Sequence, residues 1–595
     1  MKLKILQLLL FLCMKLLVSA EIRCIERERQ ALLQFSGNLS GLTRGSEEDK
    51  GECCNWYGVE CTSTGHVFDL DLSYMYLRGK ISPALRELQN LEYLTLKNNN
   101  LTIDNLNWLS DISSLSYLDL SGVDLRVVTN WLQPIAKLSS LEELFLSGCQ
   151  LRDPPSAFDV FANSSLFSLS SLDLSHNELT SISTFDSMSF MEYLDLSHNN
   201  ISGRMPDLTM SIYEILDLSY NNLSGPIPLS VFRHSANLRL SKNLLSGSIS
   251  NLCTISERLP VQALVLSNNQ LDGELPGCWM NMHDLTVLDL ANNKLSGKIP
   301  PSLSTLRFLS ILHLGNNNFT GELGSCLKNC KRLKKLDVGG NKLTGKIPAW
   351  IGTHLRGLAV LNLRFNSFHG SIPLTICYLT VVHVLDLSRN NISGKIPRCL
   401  NNFTSLAQND GSPILDRNIW LEGQQIEDDD NALVQWKGQE SEYKRLKNMK
   451  GIDLSSNKLV GTIPQAFSDL KGLLFINLSR NHLTGNIISN IGQLDTLEWL
   501  DLSRNQLSGE IPSGLANLHF LSFLDLAYNN LTGKIPLSTQ LQSFNSSTYI
   551  GNDQLCGDPL AECPHDPSVT NHGKVPLFEE VDGWSGARVA TGVVL

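Results

Sequence analysis

Leucines recur along this chain at a fixed step, with polar residues between them in a fixed order. Leu285 opens LTVLDLANNKLSGKIP, Leu309 opens LSILHLGNNNFTGEL 24 residues later, and Leu333 opens LKKLDVGGNKLTGKIP after another 24. The same step joins Met449, Leu473, Leu497 and Leu521. Weaker copies begin near Val67, Leu91, Leu115, Leu141, Leu172, Met191, Ile215, Leu238, Val261, Leu358 and Val382, for 18 in all. Within a copy, Leu500 and Leu502 alternate with polar neighbours, the pattern of a short strand with one buried face. Asn505 then falls where the chain turns away. Its amide is expected to bond the backbone of the neighbouring coil, where no sheet partner reaches. Gly509 permits a tight bend and Pro512 marks the return path.

One such coil cannot bury its own leucines, so the coils must stack. The template LxxLxLxxNxLxGxIP is that of a leucine-rich repeat. The expected fold is an α/β solenoid, a leucine-rich-repeat superhelix with a concave parallel sheet and disulfide caps at both ends. At ~4.8 Å per strand its inner arc is roughly 85 Å. The expected organisation is a signal peptide (1–20), an N-terminal cap (21–64), about 14 repeats (65–404), an insertion (405–447), four last repeats (448–543), a C-terminal cap (544–566) and a polar tail (567–595). The insertion stands out because the pattern stops there; it holds Asp428-Asp429-Asp430, Trp420, Trp436 and Tyr443, and must bulge from the coiled array. A smaller irregularity runs from Arg152 to Ser170, at Pro154-Pro155. Trp56, in the front cap, is expected to pack on the first coil.

The N-terminus narrows the compartment. Lys2, Lys4 and Lys15 flank the apolar run from Ile5 to Met14, and Val18-Ser19-Ala20 has the small-residue form of a cleavage site. The run is too short to span ~30 Å of hydrocarbon. With Cys13 in the signal, thirteen of the 14 cysteines remain, and secretion permits disulfides. The pairs expected are Cys24–Cys53, Cys54–Cys61, Cys253–Cys278, Cys377–Cys399 and Cys556–Cys563. Cys326 and Cys330 are four apart, and Cys149, the most isolated, reads as a buried small hydrophobe. No histidine sits at ligand spacing beside the cysteines, so no metal is expected. With 48 basic and 59 acidic residues the net charge is −11, which argues against nucleic acid as a partner.

The motifs around this framework resemble a known family. CIERERQALLQF from Cys24, then GSEEDK and CCNWYGVEC, are similar to the N-terminal cap of plant leucine-rich-repeat receptor-like proteins. The similarity is greatest to the receptors for fungal ethylene-inducing xylanase and to the apple scab-resistance type. The eight GxIP copies, and ALVQWKGQESEY before GIDLSSNKL, resemble the plant extracellular subtype, from Cys24 to about Gly583. One departure is Leu42-Thr43-Arg44, where the family usually has a tryptophan. Another is that the family continues into a membrane helix, whereas this chain ends in Trp584-SGARVATGVVL; it reads as a truncated or spliced product or a gene-model artefact. The resemblance implies recognition of a microbial protein elicitor, with adaptor and co-receptor kinases as partners. It implies a place in the secretory pathway and then at the outer side of the plasma membrane, or in the apoplast if no membrane helix follows.

No catalytic constellation is present: no GxSxG elbow, no HExxH pair and no phosphate-binding glycine loop followed by Lys and Ser/Thr. Neither an enzyme nor a cofactor is expected. The candidate contact residues are Trp436, Lys437, Gly438 and Tyr443 in the insertion. On the concave strands they are Glu498, Trp499, Arg504, Phe523 and Tyr528, with Arg364 and Phe365 further up. Trp499, Phe523 and Tyr528 read as exposed anchors, since aromatics are enriched at interfaces; lateral packing on neighbouring coils is the alternative. Aspartates recur in the strands (Asp289, Asp337, Asp386, Asp453, Asp501, Asp525), beside Ser388-Arg389 and Ser503-Arg504. They read first as a hydrogen-bonded ladder, with a mildly acidic groove as its consequence, suited to a basic partner. Of eleven Asn-x-Ser/Thr sequons, Asn38, Asn100, Asn163, Asn200, Asn222, Asn318, Asn391, Asn402, Asn530 and Asn545 are expected to carry glycans. Asn477 is the doubtful one, on the concave strand. A secreted inhibitor of a microbial cell-wall hydrolase, or a soluble decoy of the receptor, is the alternative function.

Overall fold

The computed structural model describes residues 23–41, 51–154, 168–181, 191–208, 211–408 and 449–563, and the backbone of four short strands between 420 and 443. The expected signal segment, Asn163, Lys437, Gly438 and the polar tail lie outside the described residues.

Each coil turns its LxL segment into a strand of about three residues. Among the described residues, 18 such strands, from Val67–Asp71 to Phe523–Asp525, form one continuous parallel ladder. Register follows the leucines: Leu288 pairs with Leu312 and Leu312 with Leu336, so buried side chains meet like partners in the next coil. Leu500, Leu502 and Leu507 are at most 2 % exposed, and each contributes ~1.5–3 kcal/mol by burial. Beyond Asn and Gly, the chain forms second strands that pair into a lateral sheet, from Ser296–Gly297 through Asn530–Lys534 to Gln554–Cys556. Single 3₁₀ turns such as Gln465–Asp469 and Ser513–Asn517 close the coils on the far side.

The asparagine at the turn does what its position demands. Asn505 Nδ2 donates to the carbonyls of Leu478 (3.0 Å), Leu502 (3.1 Å) and Ser503 (3.2 Å), and its Oδ1 accepts from the Leu483 amide at 3.1 Å. Leu478 and Leu483 belong to the preceding coil, so one side chain satisfies groups of two coils. Asn99 begins this ladder and Asn552, in the C-terminal cap, ends it. Cys149 occupies the same position in its coil: its buried thiol donates to Leu120 O at 3.1 Å, so it takes over part of the asparagine's bonding as well as filling space.

The caps close the raw ends. The helix Glu26–Gly37 presents Glu28, whose Oε2 accepts from the Val67 amide at 2.7 Å and whose Oε1 lies 2.8 Å from His66 Nδ1. The strand Val59–Cys61 pairs antiparallel on Val67–Asp71 and ends the sheet, and Trp56 packs against the core. At the other end, Tyr549 is fully buried and its hydroxyl donates to Leu541 O at 3.0 Å. All five expected disulfides are formed. Cys149, Cys326 and Cys330 are free thiols. The sulfurs of Cys24, Cys53 and Cys54 lie close together, but each is engaged in a disulfide.

The ladder runs on across the insertion. Val384–Asp386 pairs directly with Gly451–Asp453, and Asn457 bonds Leu387 O and the Ile392 amide as if no residues intervened. Lys450 Nζ donates to Gln408 O at 2.8 Å, tying the two ends of the inserted segment together. Within it, Ala432–Trp436 and Gln439–Tyr443 form an antiparallel pair in which Trp436 opposes Gln439 and Ala432 opposes Tyr443.

Candidate ligand-binding face

Three columns of non-leucine side chains run along the concave ladder, one residue from each strand or its exit. The first contains the aspartates. Each Oδ1 turns back to accept from the backbone amide two residues on: Asp453 from Ser455 at 2.8 Å, Asp386 from Ser388 at 2.9 Å, Asp501 from Ser503 at 3.0 Å. Asp386 and Asp453 are buried, and burial raises both, helped by repulsion from Asp337 at Asp386 and from Asp386 at Asp453; Asp453 is pushed up to about 7. Asp195, in an earlier coil, is raised to about 7 by burial and by Asp217 and Asp173. His313 takes an aspartate's place, with Nδ1 3.2 Å from Asp289 and Nε2 3.4 Å from Asp337. Burial alone would lower the imidazole, but the two carboxylates outweigh it and raise its pKa. Asn477 occupies the same column. Its Nδ2 donates to Asp453 at 3.3 Å and its Oδ1 accepts from the Ser479 hydroxyl at 2.7 Å, so its amide is buried and occupied. The aspartates are thus a structural ladder, and the expected acidic groove is not what they form.

The second column stands one residue before each central leucine. Its C-terminal stretch is apolar: Val360, Val384, Phe475 and Trp499 are buried in a cluster apart from the main core, with Phe523 packed against them. Trp499, expected to be exposed, is 3 % exposed and stacks on Phe523 with ring centroids 3.7 Å apart. The register explains this: Trp499 is paired with Phe523 on one side and Phe475 on the other, so lateral packing wins. Gly451 makes room for the row, because the Phe475 ring lies where a Cβ would stand.

The third column is the residue just before the ladder asparagine, and the backbone there is left-handed. From coil to coil it reads His176, His198, Tyr220, Lys242, Asn268, Asn292, Asn316, Gly340, Phe365, Arg389, Ser456, Arg480, Arg504 and Tyr528, with φ between 48° and 65°. Glycine and asparagine tolerate this region; a larger side chain there costs ~1–2 kcal/mol. Two stretches accept that cost. In the first, His176 stacks on His198 (4.1 Å) and His198 on Tyr220 (3.8 Å), and Lys242 Nζ lies 4.3 Å above the Tyr220 ring. In the second, Arg389 lies over Phe365 (5.9 Å) and Arg504 over Tyr528 (4.3 Å). A groove of about 770 Å³ opens along this second stretch, lined among others by Phe365, Arg389, Ser456, Arg480, Arg504 and Lys342, with Asp501 and Asp525 on its floor.

The remaining candidates fall into place around it. Phe365, Arg504 and Tyr528 are exposed and belong to the third column, while Glu498 and Phe523 are half-buried. Arg364 is a second correction: it is buried, and its charge acts on Asp386 and Asp453 instead of facing solvent. Trp436 and Tyr443 lie at opposite ends of the paired strands of the insertion. Arg389 and Arg480 were not picked out as contact residues from the sequence, although their place directly before the asparagine in LSRN is a usable signal. Of the sequons, Asn38, Asn100, Asn200, Asn222, Asn391, Asn402, Asn530 and Asn545 are exposed and Asn318 is half-buried. No described helix is long and apolar enough to cross a membrane.

Two leucine-rich-repeat family models match the chain, one at residues 69–125, 157–201 and 439–483, the other at 140–161, 214–233, 284–306, 332–354, 382–403, 496–518 and 520–540. The chain is built from leucine-rich repeats. It is homologous to plant receptor-like proteins, as its cap and insertion motifs imply. Receptor-like protein EIX2 of Solanum lycopersicum is 61% identical over 324 residues, 53% of this chain and 31% of that protein. Receptor-like protein EIX1 of the same species is 47% identical over 231 residues, 27% and 22% of the two chains. The matched segments thus span less than a third of these relatives' length. Among solved structures, the Arabidopsis receptor kinase HAESA, in complex with the peptide hormone IDA and the co-receptor SERK1, aligns over 90% of this chain and 99% of its own. The TM-score is 0.54 at 29% identity.

Proposed function

We propose that this chain is the extracellular, ligand-recognising part of a plant innate-immune receptor-like protein. It recognises a microbial protein elicitor with its concave face and insertion, and the last four coils engage a co-receptor kinase. The observation that carries this reading is the third column. Large aromatic and cationic side chains stand there at strained backbone positions where glycine or asparagine serves the fold equally well, and strain of this kind is retained where it serves a site. Homology to the EIX receptor-like proteins supports a defence receptor, and the HAESA complex, with its bound peptide and co-receptor, supports a ligand-binding ectodomain. The exposed sequons support glycosylation and an extracellular location. The contact residues proposed in the insertion are Trp436, Lys437, Gly438 and Tyr443.

A pull-down with a fungal ethylene-inducing xylanase tests this. The secreted chain should retain the xylanase, and a variant with residues 409–448 replaced by a Gly-Ser linker should not, while its melting curve stays cooperative. Undiminished retention by the variant would remove the insertion from the site. No retention by the intact chain would remove xylanase as the elicitor, and inhibition of xylan hydrolysis would favour the hydrolase-inhibitor reading.

A further inference from the structure

The groove along the C-terminal stretch of the third column has its own chemistry. The chain as a whole is acidic, at −11, yet this groove gathers Arg389, Arg480, Arg504 and Lys342 against Asp501 and Asp525. Asp501 and Asp525 each accept from the backbone amide two residues on and interact with Arg480 and Arg504, so two carboxyls face four cations and the groove keeps an excess of positive charge. The end arginines lean outward, Arg389 toward Phe365 and Arg504 toward Tyr528. Ser456 and Arg480 stand between them, and the groove runs along all four. Arg389 and Arg504 are three strands apart in the ladder, ~14 Å at the strand spacing, which an extended peptide of about four residues spans.

We infer that this groove is a carboxylate-binding site for an acidic segment of a protein partner. Planar guanidiniums pair carboxylates in a two-pronged geometry. Their spacing along the sheet fits an extended chain with acidic side chains at intervals, more than a single small anion. At the C-terminal end of the groove the aromatic ring favours protein over polyuronate. A sugar ring needs an open aromatic face, and Tyr528 is covered by Arg504 on one side and abutted by Gly551 of the next coil. The inference rests on the reading of this chain as a binder of macromolecules, not on the identity of the elicitor.

The test uses the intact secreted chain and a fluorescent hexaglutamate peptide, read by anisotropy at low salt, with hexaglutamine and a galacturonate hexamer as comparison probes. Hexaglutamate should bind, weaken steeply with salt, and lose about tenfold in affinity in Arg480→Gln with Arg504→Gln. Arg27→Gln, on the front cap, should bind as the parent does. Melting curves of all variants should superimpose. Equal binding of hexaglutamine, or unchanged hexaglutamate binding by the double variant, would overturn the site. Tighter binding of the galacturonate would overturn the assignment to protein. Because the probe contains no xylanase, these outcomes are independent of the pull-down.

Discussion

The stretch from His176 to Lys242 and the stretch from Phe365 to Tyr528 occupy the same backbone column, with the same left-handed conformation and the same asparagine behind each residue. They make different surfaces. In the first, two imidazoles and a phenol stack face to face along the ladder with the Lys242 ammonium over the last ring, beside a smaller groove of about 530 Å³. In the second, guanidiniums lie over aromatic rings at the two ends and leave a groove between. The repeat thus fixes where a side chain stands, and the choice of side chain at that one position decides the size and the charge of the groove beside it. Between them, Asn268, Asn292, Asn316 and Gly340 show what the position holds when the fold alone is served.

The largest effect is expected where the two stretches differ most beneath the surface. Trp499→Ala removes the centre of the apolar row beside the arginines and should cost ~3–5 kcal/mol in urea unfolding. The paired positions of the first stretch, Ser171, Tyr193, Ile215 and Asn237, form no such row. Next come the shared asparagines. Asn221→Ala and Asn481→Ala each strand a backbone amide and carbonyls of two coils, so both should cost ~2–4 kcal/mol. A large disparity between them would show that the ladder is not equivalent in the two stretches.

The buried carboxyls come third. Asp195 and Asp453 are each raised to about 7 in the folded chain, against ~3.9 when unfolded. Between those values the folded state holds more protons, so stability falls as pH rises from ~4 through 7. Asp195→Asn and Asp453→Asn should each raise the melting temperature by about 1–3 °C at pH 7.5 and leave it unchanged at pH 4. A gain at both pH values would refute the repulsion. The last effect belongs to Arg480→Asn, which installs the residue used in the middle coils; relief of the left-handed strain should raise stability by ~1 kcal/mol while hexaglutamate binding falls.

Much of this architecture is legible in the sequence because it depends on local spacing. The leucine step gives strand, register and solenoid; the asparagine's offset gives its bonding to the preceding coil; the flanking cysteines lie where caps are needed. Other features depend on neighbours a coil away. Trp499 looks exposed within its own repeat and becomes buried only when Phe475 and Phe523 are set beside it in register. Arg364 and Phe365 are adjacent in sequence, yet the strand exit turns the first inward and the second outward. The aspartates read as acid on the groove until each carboxyl is seen folded back on the amide two residues ahead. Around the C-terminal groove, Lys342 and three arginines outnumber Asp501 and Asp525 and set the sign of the face.

Arginine footprinting tests that central claim most directly. Phenylglyoxal modification of the intact chain, read by peptide mass spectrometry, should slow at Arg389, Arg480 and Arg504 when hexaglutamate is added, and stay unchanged at Arg27, Arg86 and Arg126. Uniform slowing at all six, or none at the first three, would contradict it.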